Sequence, residues 1–190
     1  ATLQVTANLF DVASLQEQYN TIKAGDLHTI GTVGKLYHDT QGKVKFKIDG
    51  DLKQVLKFPH RKDDDTTGAI VIYESPYKNQ KQQVPRNMYV ICHDPYGQNH
   101  ISQPDDIIVA SYVGRPKTQD DYNRNLFLLA DYYGCKIGFE NDRGEVIAYA
   151  KRYRKLHKLQ EEFEMLDKKE LRSRTVKRQY GMHMTEARKR

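Results

Sequence analysis

The feature that most constrains this chain is the alternation of patterns in its second half. Met88-Tyr-Val-Ile-Cys92 is a short, nearly continuous apolar run, Ile107-Ile-Val-Ala-Ser-Tyr-Val113 is a second, and Lys136-Ile-Gly-Phe-Glu140 is a third. Runs of this length bounded by turn residues suit strands buried on both faces. Between the second and third, Tyr122, Leu126, Leu129, Ala130 and Tyr133 recur at the spacing of one helix face. Thr118-Gln-Asp-Asp121 supplies a capping signal for that helix, and Gly134 is placed to end it. A second helix is predicted from near Gly144, long enough to carry Val146, Ala150, Tyr153, Leu156, Leu159, Phe163 and Leu166 on one side. Strand, strand, helix, strand, helix predicts an α/β domain, with strand 136–140 parallel to an earlier strand through a right-handed crossover.

The first half reads as an extension to that domain. Ser14-Leu-Gln-Glu17 fits a capping box and predicts a helix over 14–23. Thr29–Tyr37 and Lys43–Ile48 partly alternate around the turn signal Asp39-Thr-Gln-Gly42, which predicts a β-hairpin. Phe58–Gly68 is polar; its Asp63, Asp64 and Asp65 read as a solvated loop, because successive side chains in an irregular loop rarely converge on a cation. Ala69–Tyr73 is a lead-in strand, and Pro76–Pro85 is a loop. The boundaries are therefore 1–85 for an N-terminal extension of helix, hairpin and lead-in strand, and 86–190 for the α/β domain.

A length of 190 residues allows one such domain with a small appendage. No apolar run reaches about 18 residues, so no membrane span is expected. The first residues show no basic region followed by an apolar stretch, so no signal peptide is expected. Cys92 and Cys135 both lie in apolar stretches and read as reduced core thiols of an intracellular protein. The net charge of +6 is unevenly placed: residues 151–190 carry +8 and the first 150 carry −2. Such asymmetry points to a polyanion partner or to a solvated amphipathic helix.

Chemistry is most readily placed on two acids. Asp94 closes strand 88–93 and Glu140 closes strand 136–139. On parallel neighbouring strands those ends lie roughly 5 Å apart, at the carboxyl edge where open α/β sheets bind ligands. Two such carboxylates, with no His or Cys set beside them, suit Mg²⁺ or Mn²⁺. A pair of such ions can activate a water and stabilise the leaving oxygen of a phosphodiester. Each acid has a plainer reading. Asp94 before Pro95 can be a turn former, Glu140 can pair with an Arg, and Asp142 can cap the helix near Gly144 with Glu145 completing a box. Lys151, Arg152, Arg154, Lys155 and Lys158 crowd one helix, and Lys168, Lys169, Arg172, Arg174, Lys177 and Arg178 continue the run. Contacts of this kind hold phosphates without reading sequence. Arg115, just past a strand end, can meet a phosphate or sit in a surface turn. His93 should point away from Asp94 by strand alternation. Cys92 reads as core rather than nucleophile, and no Walker-type loop is present for ATP hydrolysis.

Three segments together carry a resemblance: Tyr89-Val-Ile-Cys-His-Asp-Pro-Tyr-Gly97, Ile108-Val-Ala-Ser-Tyr-Val-Gly-Arg-Pro116 and Phe139-Glu-Asn-Asp-Arg-Gly144. They resemble the nuclease domain of the large terminase subunit of tailed bacteriophages, and Thr67–Pro76 resembles its lead-in. The resemblance implies a ribonuclease H-like mixed sheet flanked by helices. It also implies a metal-dependent endonuclease that cuts concatemeric double-stranded DNA during viral genome packaging, in the host cytoplasm. By position, Asp94 is similar to the family's first-strand ligand and Glu140 to the acid of its Glu-Asn-x-x-Gly motif, with Asp142 an outer candidate and two Mg²⁺ or Mn²⁺ ions as cofactors. Arg115, Lys151, Arg154, Lys155 and Lys158 are the candidate DNA contacts. An ATPase domain of the same terminase, a portal and a small subunit are the implied partners, with no membrane and a monomer in isolation. Two departures stand out. The family has an extra strand or hairpin after its first acid, where this chain offers only Pro95–Asp106, and its third acid has no match in 164–190. The alternatives are a non-catalytic DNA-binding or motor-assembly module, and a resolvase-like nuclease of the same fold.

Overall fold

A computed structural model describes residues 20, 31–55, 59–61, 63–94, 98–102, 108–141, 144–165 and 179–182, with the backbone alone at 94 and 98–102. The helix expected over 14–23 lies outside the described residues except for Asn20, which is helical. The strands are β1 (Thr32–His38), β2 (Val44–Ile48), β3 (Ala69–Ile72), β4 (Val90–Asp94), β5 (Gln98–Ser102), β6 (Ile108–Val113) and β7 (Lys136–Phe139). They form one mixed, mostly antiparallel sheet in the order β2-β1-β3-β6-β5-β4-β7. The expected hairpin is present, with Leu36 opposite Phe46 and His38 opposite Val44. It joins this sheet through β3, and β3 in turn pairs with β6.

Among the seven described strands β4 and β7 alone pair in parallel, as the crossover through α1 (Gln119–Tyr132) requires. Thr118 caps α1 by accepting a hydrogen bond from the Asp121 N–H at 3.1 Å. At the other end Gly134 takes φ +61, the Gly134 N–H donates to the Asp131 carbonyl, and the Cys135 N–H donates to the Ala130 carbonyl. This is the doubly bonded helix ending that a glycine in the left-handed region makes possible.

The core lies where α1 covers one face of the sheet. Pairing fixes which side chains share that face: Leu36, Ile70 with Ile72, Tyr112 with Ala110, Ile91 and Ile137, all buried. From α1, Tyr122, Leu126, Leu129, Ala130 and Tyr133 are buried against them, the set that the spacing predicted. Full burial of each Leu or Ile contributes about 1.5–3 kcal/mol. The Tyr133 hydroxyl donates to the Glu74 carbonyl at 2.6 Å, which ties the end of α1 to the chain leaving β3. Burial pushes that phenol well above its ordinary range. The opposite side of α1 is also covered, with Phe127 and Tyr149 rings 5.2 Å apart.

Four expectations change. The long final helix is instead a short one, α2 (Glu145–Arg152), followed by a 3-10 turn (Leu156–Lys158) and α3 (Glu162–Met165). Arg154 sits at φ +56, with its N–H bonded to the Lys151 carbonyl and the Lys155 N–H bonded to the Ala150 carbonyl. That is the same ending as in α1, built on an arginine. The chain then turns back so that Leu159, 1% exposed, runs beside Ile137 of β7. Asp142 does not occupy the cap of α2; Gly144 does, at φ +68 with no side-chain cap, and Asp142 itself lies outside the described residues. Cys92 is exposed rather than core, because alternation turns it away from the face that buries Ile91 and His93, whereas Cys135 is buried with its thiol pushed up to about 12. Finally, the segment 95–106 is not short of a strand. It contains β5, which pairs antiparallel with both β4 and β6.

Candidate metal and nucleic-acid site at the strand ends

Since β5 is antiparallel to both β4 and β6, strands β4, β6 and β7 all run the same way. Their carboxyl ends therefore share one edge of the sheet. The β4–β7 register sets Ile91 against Ile137 and His93 against Phe139. Asp94 ends β4 one residue past the last pair, and Glu140 follows β7 in the same way, so both acids stand at the adjacent carboxyl ends of the two strands. By alternation Glu140 shares the face opposite α1 with Cys92 and Gly138. His93 lies on the other face, 5% exposed, with its ring 5.6 Å from that of Tyr122, so it does not serve the acids.

Glu140 is exposed and makes no ion pair with a described residue. Its backbone is held from the far side by the returning chain. The Met182 N–H donates to the Phe139 carbonyl at 2.8 Å, and the Asn141 N–H donates to the Met182 carbonyl at 2.9 Å. The Asn141 side-chain amide donates to the Tyr180 carbonyl at 3.0 Å. Asn141 thus anchors the segment that follows β7 and leaves the Glu140 carboxylate available. The Asp94 side chain and all of Asp142 lie outside the described residues. Among the described residues no group of three or more His, Cys, Asp or Glu side chains comes together.

Of the five basic candidates, Arg115 is at the acids' edge. It lies two residues beyond β6, and the Thr66 hydroxyl donates to its carbonyl at 2.7 Å. Lys155 and Lys158 are elsewhere. Both ammonium groups clamp Asp131 near the end of α1, each at 2.8 Å. Lys158 also lines a cavity of about 670 Å³ with Arg86, Lys136 and His157 at the amino ends of β4 and β7, the opposite edge of the sheet. Lys151 and Arg154 are exposed near the end of α2, and the neighbouring Arg152 bonds Asp120. The basic segment 151–158 is therefore partly an internal brace. Two of the three loop acids are also accounted for locally: Asp64 accepts from the Arg61 N–H and Asp65 from the Thr67 N–H.

The Asp131 brace gives a pH dependence with a defined sign. Burial alone would raise this carboxyl, but the hydrogen bonds from Lys155 and Lys158 outweigh it and hold it below the ordinary 3.8. A depressed folded pKa means stability that is complete above the unfolded value and lost as pH falls through the folded one. Asp131→Asn should cost about 1–3 kcal/mol near neutrality, since it leaves two half-buried ammonium groups without a countercharge. In urea melts across pH, the gap between variant and native chain should close below 3.8; a gap that persists unchanged into stronger acid contradicts the brace.

The sequence missed two residues that shape this edge, Gly68 and Gly114. A Cβ on Gly114 would sit 2.4 Å from the Thr67 carbonyl oxygen, so the backbones before β3 and after β6 meet with no room for a side chain. The Thr67-Gly68 and Val113-Gly114 pairs carry the signal, but it becomes legible only once β3 and β6 are known to pair. No helix among the described residues is long and apolar enough to cross a membrane. Compared with known proteins, the chain has no significant match to a family model, a curated protein or a solved structure.

Proposed function

We propose that this chain is a metal-dependent endonuclease domain that hydrolyses the phosphodiester backbone of double-stranded DNA, of the kind used in viral genome packaging. The observation that carries the reading is the parallel pairing of β4 and β7, since Asp94 closes the first strand and Glu140 follows the second. The strand plan supports it as well. An antiparallel meander β4-β5-β6, then a crossover helix, then a strand parallel to the first is the plan expected of a ribonuclease H-like sheet.

The residues fit hard divalent cations. Glu140 is exposed without an ion-pair partner among the described residues, and the donor set is carboxylate oxygen. Bound Mg²⁺ or Mn²⁺ supplies a water of lowered pKa and neutralises charge on the phosphodiester. Asp94 and Glu140 hold the ions, Asp142 is an outer ligand, and Arg115 binds a phosphate at the same edge. The matching experiment is nicking of supercoiled plasmid with Mg²⁺, Mn²⁺ or EDTA. Cutting that needs the metal and is lost in Asp94→Ala is the expected result; metal-independent cutting, or cutting that survives in the variant, overturns it.

A second reading is favoured by the lack of a third acidic ligand among the described residues. In it the chain is a catalytically silent DNA-binding or motor-assembly module beside an ATPase domain, and it retards plasmid without cutting. A resolvase-like nuclease shares the strand plan and would prefer branched over linear duplex.

A further inference from the structure

The sheet edge farthest from the acids carries a second charged surface. In β2, Val44-Lys-Phe-Lys-Ile48, alternation puts Val44, Phe46 and Ile48 on the α1 side and the lysines on the other. The register sets Lys47 directly opposite Lys35 and Lys45 opposite Tyr37. Lys35, Tyr37, Lys43, Lys45 and Lys47 are all exposed. Like charges placed directly opposite on neighbouring strands are destabilising, and here the compensation is incomplete. Asp49 takes Lys35 at 2.9 Å, and the Asp39 carboxylate accepts from the Gln41 and Lys43 N–H groups in the turn. Lys43, Lys45 and Lys47 make no ion pair with a described residue.

Pairing can be followed across the sheet from this row. Lys35 shares a face with Val33; Val33 pairs with Val71, Val71 with Ser111, Ser111 with His100, His100 with Cys92 and Cys92 with Gly138. The β2 lysines and Glu140 therefore lie on one side of the sheet, six strand steps apart, with the end of β4 five steps away. At a strand spacing of about 4.8 Å this is about 24–29 Å, the length of about seven to nine base pairs at 3.4 Å each.

We infer that the lysine face of the β1–β2 hairpin, Lys35, Lys43, Lys45 and Lys47, binds the phosphate backbone of a nucleic-acid duplex that extends to the carboxyl ends of β4 and β7. The part of the inference that concerns the strand ends rests on the nuclease reading; the lysine face does not. Lysines on alternate residues stand about 6.8 Å apart along the strand, a row of point charges without base-reading groups. An anionic bilayer fits less well, because Tyr37 is the one aromatic on this face of the hairpin and a membrane-surface element needs apolar side chains to insert.

The test is binding of a labelled duplex of about 30 base pairs, longer than the sheet span, to the full chain in EDTA over a range of salt. The variant Lys43→Gln/Lys45→Gln/Lys47→Gln should bind at least ~10-fold more weakly, and its log–log salt slope should fall by up to about 2.7, or 0.9 for each phosphate that the variant no longer neutralises. A charge-matched control, Lys78→Gln/Lys81→Gln/Arg86→Gln, removes cations from the connection before β4 and should bind as the native chain does. Unchanged binding by the hairpin variant, an equal loss in the control, or lysine-dependent capture of phosphatidylserine vesicles in place of duplex overturns the inference. The assay contains no metal, so the two readings fail separately. Lysine-dependent binding by a chain that never cuts keeps the surface and removes the nuclease. Metal-dependent cutting with lysine-independent binding does the reverse.

Discussion

Glu140→Gln should abolish metal-dependent cutting while leaving duplex binding and thermal stability near those of the native chain. The side chain is exposed and makes no ion pair with a described residue, so replacing it removes no packing and no internal charge partner. Exposed substitutions of this kind usually change stability by no more than about 0.5 kcal/mol. The loss of activity should be far larger. Changing a group that merely supports a metal ligand costs about 10–100-fold, and Glu140 is assigned as a ligand itself, so a loss beyond about 100-fold is expected. Plasmid cleavage and a melting curve on the same preparation check both halves. A variant that still cuts at a comparable rate removes Glu140 from the site, and one that melts much lower shows that the residue has a structural role instead.

Gly68→Ala should destabilise the fold by more than about 3 kcal/mol, because two separate costs meet at one position. Gly68 sits at φ +78, where a side chain costs about 1–2 kcal/mol. An added Cβ would also lie 2.2 Å from the Val113 carbonyl oxygen and 2.6 Å from the Gly114 Cα. Both obstacles are backbone of β6 or the residue after it, so relief requires β3 and β6 to separate at the edge that carries Arg115. Gly42→Ala is the natural comparison: the residue has φ +75 but no atom within 4 Å of the added Cβ. It should show the conformational cost alone. Equal urea midpoints for the two variants contradict the close approach.

The helix 119–132 was legible because apolar spacing, the Thr118 cap and Gly134 all agree, and each matches an observed feature. The parallel relation of β4 and β7 followed from the crossover. The strand β5 was not legible. Gln-Asn-His-Ile-Ser is polar, with Ile101 its one apolar residue, so neither periodicity nor an apolar run marks it. The end of α2 was missed because an arginine holds the left-handed position that usually announces itself as glycine, and the apolar spacing continues through the break. The placement of charge was only partly legible for a related reason. The count favours residues 151–190, yet Lys155 and Lys158 serve Asp131, while the lysines of β2 act as a surface only once register fixes their common face.

The central claim is that Asp94 and Glu140 together hold divalent metal at the carboxyl ends of β4 and β7. Titration of the full chain with Mn²⁺, followed by the paramagnetic signal of the free ion and repeated on Asp94→Ala/Glu140→Ala, tests that claim without relying on activity. The account predicts saturable uptake by the native chain that the double variant loses while keeping its fold. Equal uptake by both, or none by the native chain, contradicts it.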